Sequence, residues 1–249
     1  MSKTFKSSLR GWLDRHLPTL SFAARVAGSG RFEVVPPRVI YASGPLHEKV
    51  KQRFAGRRGI FFEVGANNGI EASNTAYLEK YCGWTGILVE ATPHKFVECV
   101  GNRPRSSVVH AALVPFDYDR PFLEIIYSNL MSITPLSEIS AEDHVAAGTD
   151  HLGSEQKLSG TTFFAPARTV DSILAERGYP QIDFFSLDVE GAELQVLRGI
   201  DFEKSRPGAF LIEARDPEAI SRFMDDKGYR MAERWSHHDY LFVDEKAGP

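Results

Sequence analysis

The chain has 249 residues, of which 43% are hydrophobic and 25% charged, with a formal net charge of -4. These values fit one sizeable α/β core and exclude both default disorder and broad electrostatic capture of nucleic acid. The two cysteines, Cys82 and Cys99, lack the spacing of a zinc or redox motif and read as reduced thiols. No apolar run reaches the ~18 residues of a bilayer span, and the basic N-terminus lacks the apolar core of a secretory signal. The cytoplasm is therefore the expected compartment.

Residues 1–31 carry Lys3, Lys6, Arg10, Arg15, Arg25 and Arg31 against the single acid Asp14, with Phe5, Leu9, Trp12, Leu17 and Leu20 interspersed. Two roles fit this basic, partly amphipathic segment. It is either a helix packed on the domain with a solvated basic face, or a lid or surface that makes peripheral contact with an anionic membrane. Pro36 and Pro37 punctuate the chain before the core. The expected division is a basic, partly helical extension over 1–50 and a single domain over 51–249.

From about residue 60, short apolar runs alternate with helical stretches, the signature of βαβ units and a parallel sheet. The pattern predicts strands at Ile60–Val64, Gly86–Glu90, Ser107–Ala112, Ile182–Leu187 and Ala209–Glu213. Helices are predicted near 71–81, 94–102, 169–178, 191–200 and 216–228. A Rossmann-like, doubly wound α/β sheet is the leading architecture. The tail, Tyr229–Trp235 and Tyr240–Val243 around a His237-His238-Asp239 turn, predicts a final hairpin. Residues 114–168 interrupt the rhythm with a strand pair, Phe122–Tyr127 and Thr161–Ala165, around a long polar loop at about 128–160. Loops of that length are uncommon without function, so this insertion is a candidate substrate-binding cap.

After the apolar strand Ile60-Phe61-Phe62 comes Glu63-Val64-Gly65-Ala66-Asn67-Asn68-Gly69. Glycines allow a sharp turn and close approach of backbone to ligand, asparagines tolerate unusual turn conformations, and the carboxyl end of a strand is the ligand crevice of an open α/β sheet. A carboxylate at Glu63 would repel a pyrophosphate but suits the cationic groups of S-adenosylmethionine. Glu90 closes the next strand, near the ~20-residue separation at which an acid meets ribose hydroxyls in dinucleotide folds. A helix-capping role for Glu90 is the alternative, although Thr92 is itself a good cap. Ala91 follows Glu90 at the same edge.

The segment Asp183-Phe184-Phe185-Ser186-Leu187-Asp188-Val189-Glu190-Gly191-Ala192-Glu193 ends an apolar strand in a cluster of acids. Asp188 and Glu190 are the candidate catalytic pair, able to hold an acceptor hydroxyl and take its proton. Helix capping accounts for one of the three acids. A complete metal-ligand set is not visible, and no metal is expected. Glu213, with Arg215 after the Ala209–Glu213 strand, lies on the same edge and either touches substrate or pairs with a neighbouring helix. His237, His238, His144 and His151 read as exposed loop residues that could otherwise serve as bases.

The pairing of E-V-G-A-N-N-G with S-L-D-V-E-G-A-E-L-Q-V-L-R-G resembles the FkbM-type methyltransferases, a branch of the class I S-adenosylmethionine-dependent family. Val109–Leu113 and T-V-D-S-I-L at Thr169–Leu174 resemble it too, so the likeness covers roughly 58–243. It implies a seven-stranded sheet whose last strand runs antiparallel, with cofactor contacts from Glu63, Gly65, Asn67 and Glu90. It also implies Asp188 beside the reactive methyl, with Glu190 and Gly191 next to it, and His110 and Ala111 near the adenine edge. The rest of the loop, Ala66, Asn68 and Gly69, joins Ala91 as candidate cofactor-binding positions. The implied activity is methylation of a hydroxyl on a sugar, glycolipid or other small natural-product acceptor, with no nucleic-acid partner. A nucleotide-binding oxidoreductase would need G-x-G-x-x-G, which is absent. A non-catalytic cofactor-binding protein would be marked by loss of the acids at 63, 90 or 188, and all three are present.

Overall fold

The computed structural model describes residues 45–127, 132, 134–137, 162–179 and 181–246. The basic segment at 1–31, His144, His151 and most of the 128–160 loop lie outside the described residues.

Helix α1 (Pro45–Phe54) leads into β1 (Ile60–Val64), α2 (Ala76–Cys82), β2 (Thr85–Glu90), α3 (Pro93–Asn102) and β3 (Ser107–His110). The insertion supplies β4 (Ala112–Leu113), β5 (Phe122–Ile126) and β6 (Thr162–Arg168). The chain continues through α4 (Val170–Arg177), β7 (Phe184–Leu187), α5 (Glu193–Leu197), β8 (Ala209–Glu213) and α6 (Pro217–Asp226), and ends in β9 (Tyr229–Arg234) and β10 (Asp239–Asp244). A seven-stranded sheet has the order β3-β2-β1-β7-β8-β10-β9, with β10 antiparallel to both of its neighbours. The expected doubly wound sheet, its antiparallel last strand and the closing hairpin are all present. Chain order reverses between β1 and β7, so a crevice opens beyond their carboxyl ends.

The central strands read as apolar runs because both faces are covered. On one face Phe62 stacks on Phe185 with ring centroids 4.8 Å apart, and Phe210 and Tyr229 continue the layer. On the other, Phe61, Phe184 and Leu211 pack with Trp84 and with α1. Leu46, Val50 and Phe54 form the buried stripe of α1, and the Phe54 ring lies 4.4 Å from that of Phe184. This helix runs across residue 50, where sequence reading placed the start of the domain. Among the described residues no helix is long and apolar enough to cross a membrane.

Two elements differ from expectation for physical reasons. The strand predicted over Ser107–Ala112 breaks at Ala111, whose N–H donates to the Glu90 carbonyl. Beyond the break, Ala112 and Leu113 leave the main sheet and pair with Ala167 and Arg168 of β6, so one apolar run serves two sheets. The helix predicted near 71–81 begins only at Ala76, because the preceding residues are engaged by Glu63.

That engagement is a buried charge cluster. Glu63 is 3% exposed, Glu79 4% and Arg103 2%. The Glu63 carboxylate accepts from the Ser73 hydroxyl, the Asn74 N–H and the Thr75 hydroxyl. Arg103, at the end of α3, sends Nε to Glu79 at 2.8 Å and Nη1 to Glu63 at 3.4 Å. Its Nη1 also reaches the Gly69 carbonyl and its Nη2 the Thr75 hydroxyl. Removing the guanidinium would leave two buried carboxylates without their cation, so Arg103→Met is expected to cost about 3–5 kcal/mol, read as a lower urea midpoint at unchanged slope.

Candidate active site

The glycine loop is shaped first by the protein's own backbone. Gly65 has φ +76°, and a Cβ there would sit 1.9 Å from the Asp188 carbonyl oxygen. The ends of β1 and β7 are thus in direct contact, and glycine is required at that crossing. Gly69, at φ +80°, faces the Arg103 and Cys99 side chains of the α3 end. Asn67 takes φ +48°, a conformation asparagine tolerates better than most residues. Asn68 Oδ1 accepts from the N–H groups of Ile70 and Glu71, which folds its side chain back onto the loop.

A cavity of about 240 Å³ opens beyond this loop. Gly65, Asn67, Glu90, Ala91, Ala111, Asp188 and Glu190 line it, with Val89, Leu113 and Val196 as apolar wall. The insertion contributes Leu123, Ile125, Ser132 and Thr134. Seven of the sequence-predicted residues are therefore brought together. Glu63, Ala66, Asn68, Gly69 and His110 are not among the lining residues. Glu63 is turned into the Arg103 cluster, while the ring Nε2–H of His110 donates to the Ala91 carbonyl at 2.8 Å. Burial lowers the pKa of His110, so the neutral ring braces the segment after β2.

Glu90 is the hinge of the loop. One carboxylate oxygen accepts from the Asn67 N–H and the other from the Thr92 N–H, each at 2.7 Å. Burial raises its pKa, and these same N–H donors oppose the rise. Thr92, which the sequence marked as the helix cap, makes no side-chain cap bond to α3.

At the ends of β7 and β8, Asp188, Glu190 and Glu213 each place a carboxylate oxygen within 4.8 Å of the others. The pKa of Asp188 lies well above its ordinary value, first through desolvation in the cleft and then through the charge and hydrogen bond of Glu213 and the charge of Glu190. Like charges crowded into one pocket favour the protonated form of Asp188. Glu190 instead pairs with Arg215 at 2.6 Å. Glu213 stands in this cluster, and Arg215 pairs with Glu190. His237 and His238 are exposed in the β9–β10 turn and stand apart from the cavity lining. Glu193 turns back from the helix start, and its Oε1 accepts from the N–H of Gly191 at 2.9 Å, ahead of α5, which has no side-chain cap bond.

The donor chemistry suits S-adenosylmethionine. Carboxylates stand at the ends of β2 and β7, on either side of β1, with an apolar wall lining the same cavity. Glu90 has unused oxygen lone pairs for a ribose diol, the Ala111 and Leu113 wall suits an adenine, and the acidic edge suits cationic groups.

Fold and cleft together define the class: a Rossmann-like domain of the adenosylmethionine-dependent methyltransferase type. The chain belongs to the FkbM methyltransferase family, whose domain model matches residues 63–231. As a member of that family it is an S-adenosylmethionine-dependent methyltransferase. Among solved structures it is similar to a TehB-like SAM-dependent methyltransferase from Corynebacterium glutamicum, at 11% identity, 91% of this chain, 98% of that one and a TM-score of 0.40. It is also similar to an O-methyltransferase from Bacillus cereus in complex with SAH, at 13% identity, 96% and 97% coverage and a TM-score of 0.39. No curated protein matches the chain in sequence.

Two outcomes follow from this geometry. Gly65→Ala places a residue in the left-handed region, at about 1–2 kcal/mol, and drives a methyl group into the Asp188 carbonyl. Titration with S-adenosylhomocysteine should show affinity reduced by about tenfold or more, a loss of roughly 1.4 kcal/mol. Burial raises the Glu193 pKa to about 7. The stability linked to its raised value is fully present below its unfolded pKa, near 4.5, and lost as pH rises through about 7. Glu193→Gln keeps the acceptor oxygen and removes this loss, so thermal melts at pH 5 and pH 8 should show the variant gaining on the wild type at the higher pH, by up to about 3 kcal/mol.

Proposed function

We propose that the chain transfers a methyl group from S-adenosylmethionine to a hydroxyl of a sugar, glycolipid or other small natural-product acceptor. The observation that carries this reading is the carboxylate cluster of Asp188, Glu190 and Glu213, of which Asp188 and Glu190 line the cofactor cavity. Bound S-adenosylmethionine supplies a methyl group on a sulfonium, open to in-line displacement by an acceptor oxygen. Little covalent chemistry is then asked of the protein, which must hold the acceptor oxygen in line and exclude water. A hydroxyl is a poor nucleophile at neutral pH, and Asp188 has the raised proton affinity of a general base. Asp188 takes the acceptor proton as the new C–O bond forms and S-adenosylhomocysteine leaves, and the nearby charges of Glu213 and Glu190 raise its affinity for that proton. Glu190, neutralised by Arg215, is left to accept a second acceptor hydroxyl. The apolar wall around Val89 and Leu113 limits competing water. Gly65, Asn67, Glu90, Ala91 and Ala111 would hold the cofactor from the loop side.

Calorimetric titration of the chain with S-adenosylhomocysteine should give binding, and titration with NAD none; absence of the first overturns the proposal. Incubation of extracts with enzyme and methyl-labelled cofactor should yield an acceptor heavier by one labelled methyl, released intact on mild base treatment as an ether is and an ester is not. Asp188→Asn should lower that transfer by about 10²–10⁴-fold with S-adenosylhomocysteine affinity unchanged within about twofold. Wild-type turnover in the variant would remove Asp188 from the reaction.

A further inference from the structure

The turn after β7 holds a conformation that its residues do not favour. Glu190 has φ +55° and Gly191 φ +91°, so two successive residues are left-handed and the first carries a side chain. Such strain persists only where the surroundings over-determine it. Two restraints do so here. Arg215 grips the Glu190 carboxylate at 2.6 Å. The Glu193 side chain turns back from the first residue of α5, and its Oε1 accepts from the Val189 N–H at 3.2 Å and the Gly191 N–H at 2.9 Å. One oxygen atom therefore ties the amides on both sides of Glu190. Ala192, at the cap position, has no side chain with which to do this. Hydrogen bonds to an ionisable acceptor are among the stronger kinds, enough to offset the strain of one left-handed residue.

Glu193 is 4% exposed and is absent from the cofactor cavity, whereas Asp188, Val189, Glu190 and Ala192 all line it. We propose that Glu193 is a positioning residue of the cleft: its Oε1 fixes the Val189–Gly191 turn and so presents Asp188 and Glu190 to the cavity. The role rests on the reading of that cavity as the cofactor site. It differs from ordinary helix capping, which would serve α5 alone. The two N–H donors precede the helix and flank an acid of the site. On its other side the turn is fixed by the contact between the Asp188 carbonyl and Gly65, so Glu193 controls the half that the glycine crossing leaves free.

The test separates geometry from charge. Glu193→Gln keeps an oxygen at the same reach and loses the charge, whereas Glu193→Asp keeps the charge and shortens the reach. The full-length chain and these variants, with Glu193→Ala, are titrated with S-adenosylhomocysteine, and amide exchange at Val189 and Gly191 is followed by NMR. The expected result is that the Gln variant binds within about twofold of wild type with both amides protected. The Asp and Ala variants should bind about tenfold or more weakly with both amides exchanging faster, a loss of roughly 1.4 kcal/mol. Where the Ala variant fails to fold, the Gln and Asp pair decides. Asp-variant binding equal to wild type, or Gln-variant binding as weak as that of the Asp variant, overturns the positioning role while leaving the cofactor reading intact. A wild-type chain that binds no S-adenosylhomocysteine overturns the cofactor reading and this role with it.

Discussion

A single buried guanidinium organises the cofactor edge. Arg103 stands between the carboxylates of Glu63 and Glu79, and its remaining donors reach Gly69, Ser73 and Thr75. Burying three charges is costly, and the cost is met only if every lone pair and proton finds a partner. Here the partners are the loop itself. The hydroxyls of Ser73 and Thr75 and the N–H of Asn74 saturate Glu63, so the segment between β1 and α2 cannot relax into helix without exposing the acid.

The consequences run outward from that cluster. With Gly69 held on Arg103, the loop returns toward β2, where Asn67 donates to Glu90. Glu90 in turn receives the Thr92 N–H and draws the start of α3 to the same edge. Arg103 closes the far end of that helix, so α3 is pinned at both ends to the loop it flanks. On the opposite side, Gly65 touches the Asp188 carbonyl. The cleft is thus bounded by two backbone contacts and one buried charge network, all formed by the protein alone.

Much of this was legible in the sequence. Apolar runs bounded by turn residues gave Ile60–Val64 and Ala209–Glu213 with their observed ends, because strands buried on both faces leave an unambiguous signature. The acids at 90, 188 and 190 were placed at the cleft for the same reason: Glu90 ends such a strand, and Asp188 and Glu190 come within three residues of the end of another. What stayed hidden depends on contacts between distant segments. Glu63 lies in a loop motif, and nothing in its local spacing shows that Arg103, across α2 and β2, will claim its carboxylate. Gly65 and Gly69 looked like room for a ligand, yet the atoms that exclude a side chain there belong to Asp188, Cys99 and Arg103. The break at Ala111 was equally silent, since Ala111, Ala112 and Leu113 are apolar whether they serve one sheet or two.

The two acidic edges of the cleft therefore have different characters. Glu90 accepts one backbone donor on each oxygen, which keeps it fixed and favours its charged form against the pull of burial while leaving lone pairs open. Asp188 lies in the cleft beside Glu213 and Glu190, and burial and these acids push its proton affinity up rather than down. A carboxylate of the first kind suits a contact that never changes, such as a ribose diol. One of the second kind suits a group that must take a proton, because burial and the neighbouring acids favour its protonated form. Arg215 sharpens the distinction, since its ion pair is with Glu190 and not with Asp188.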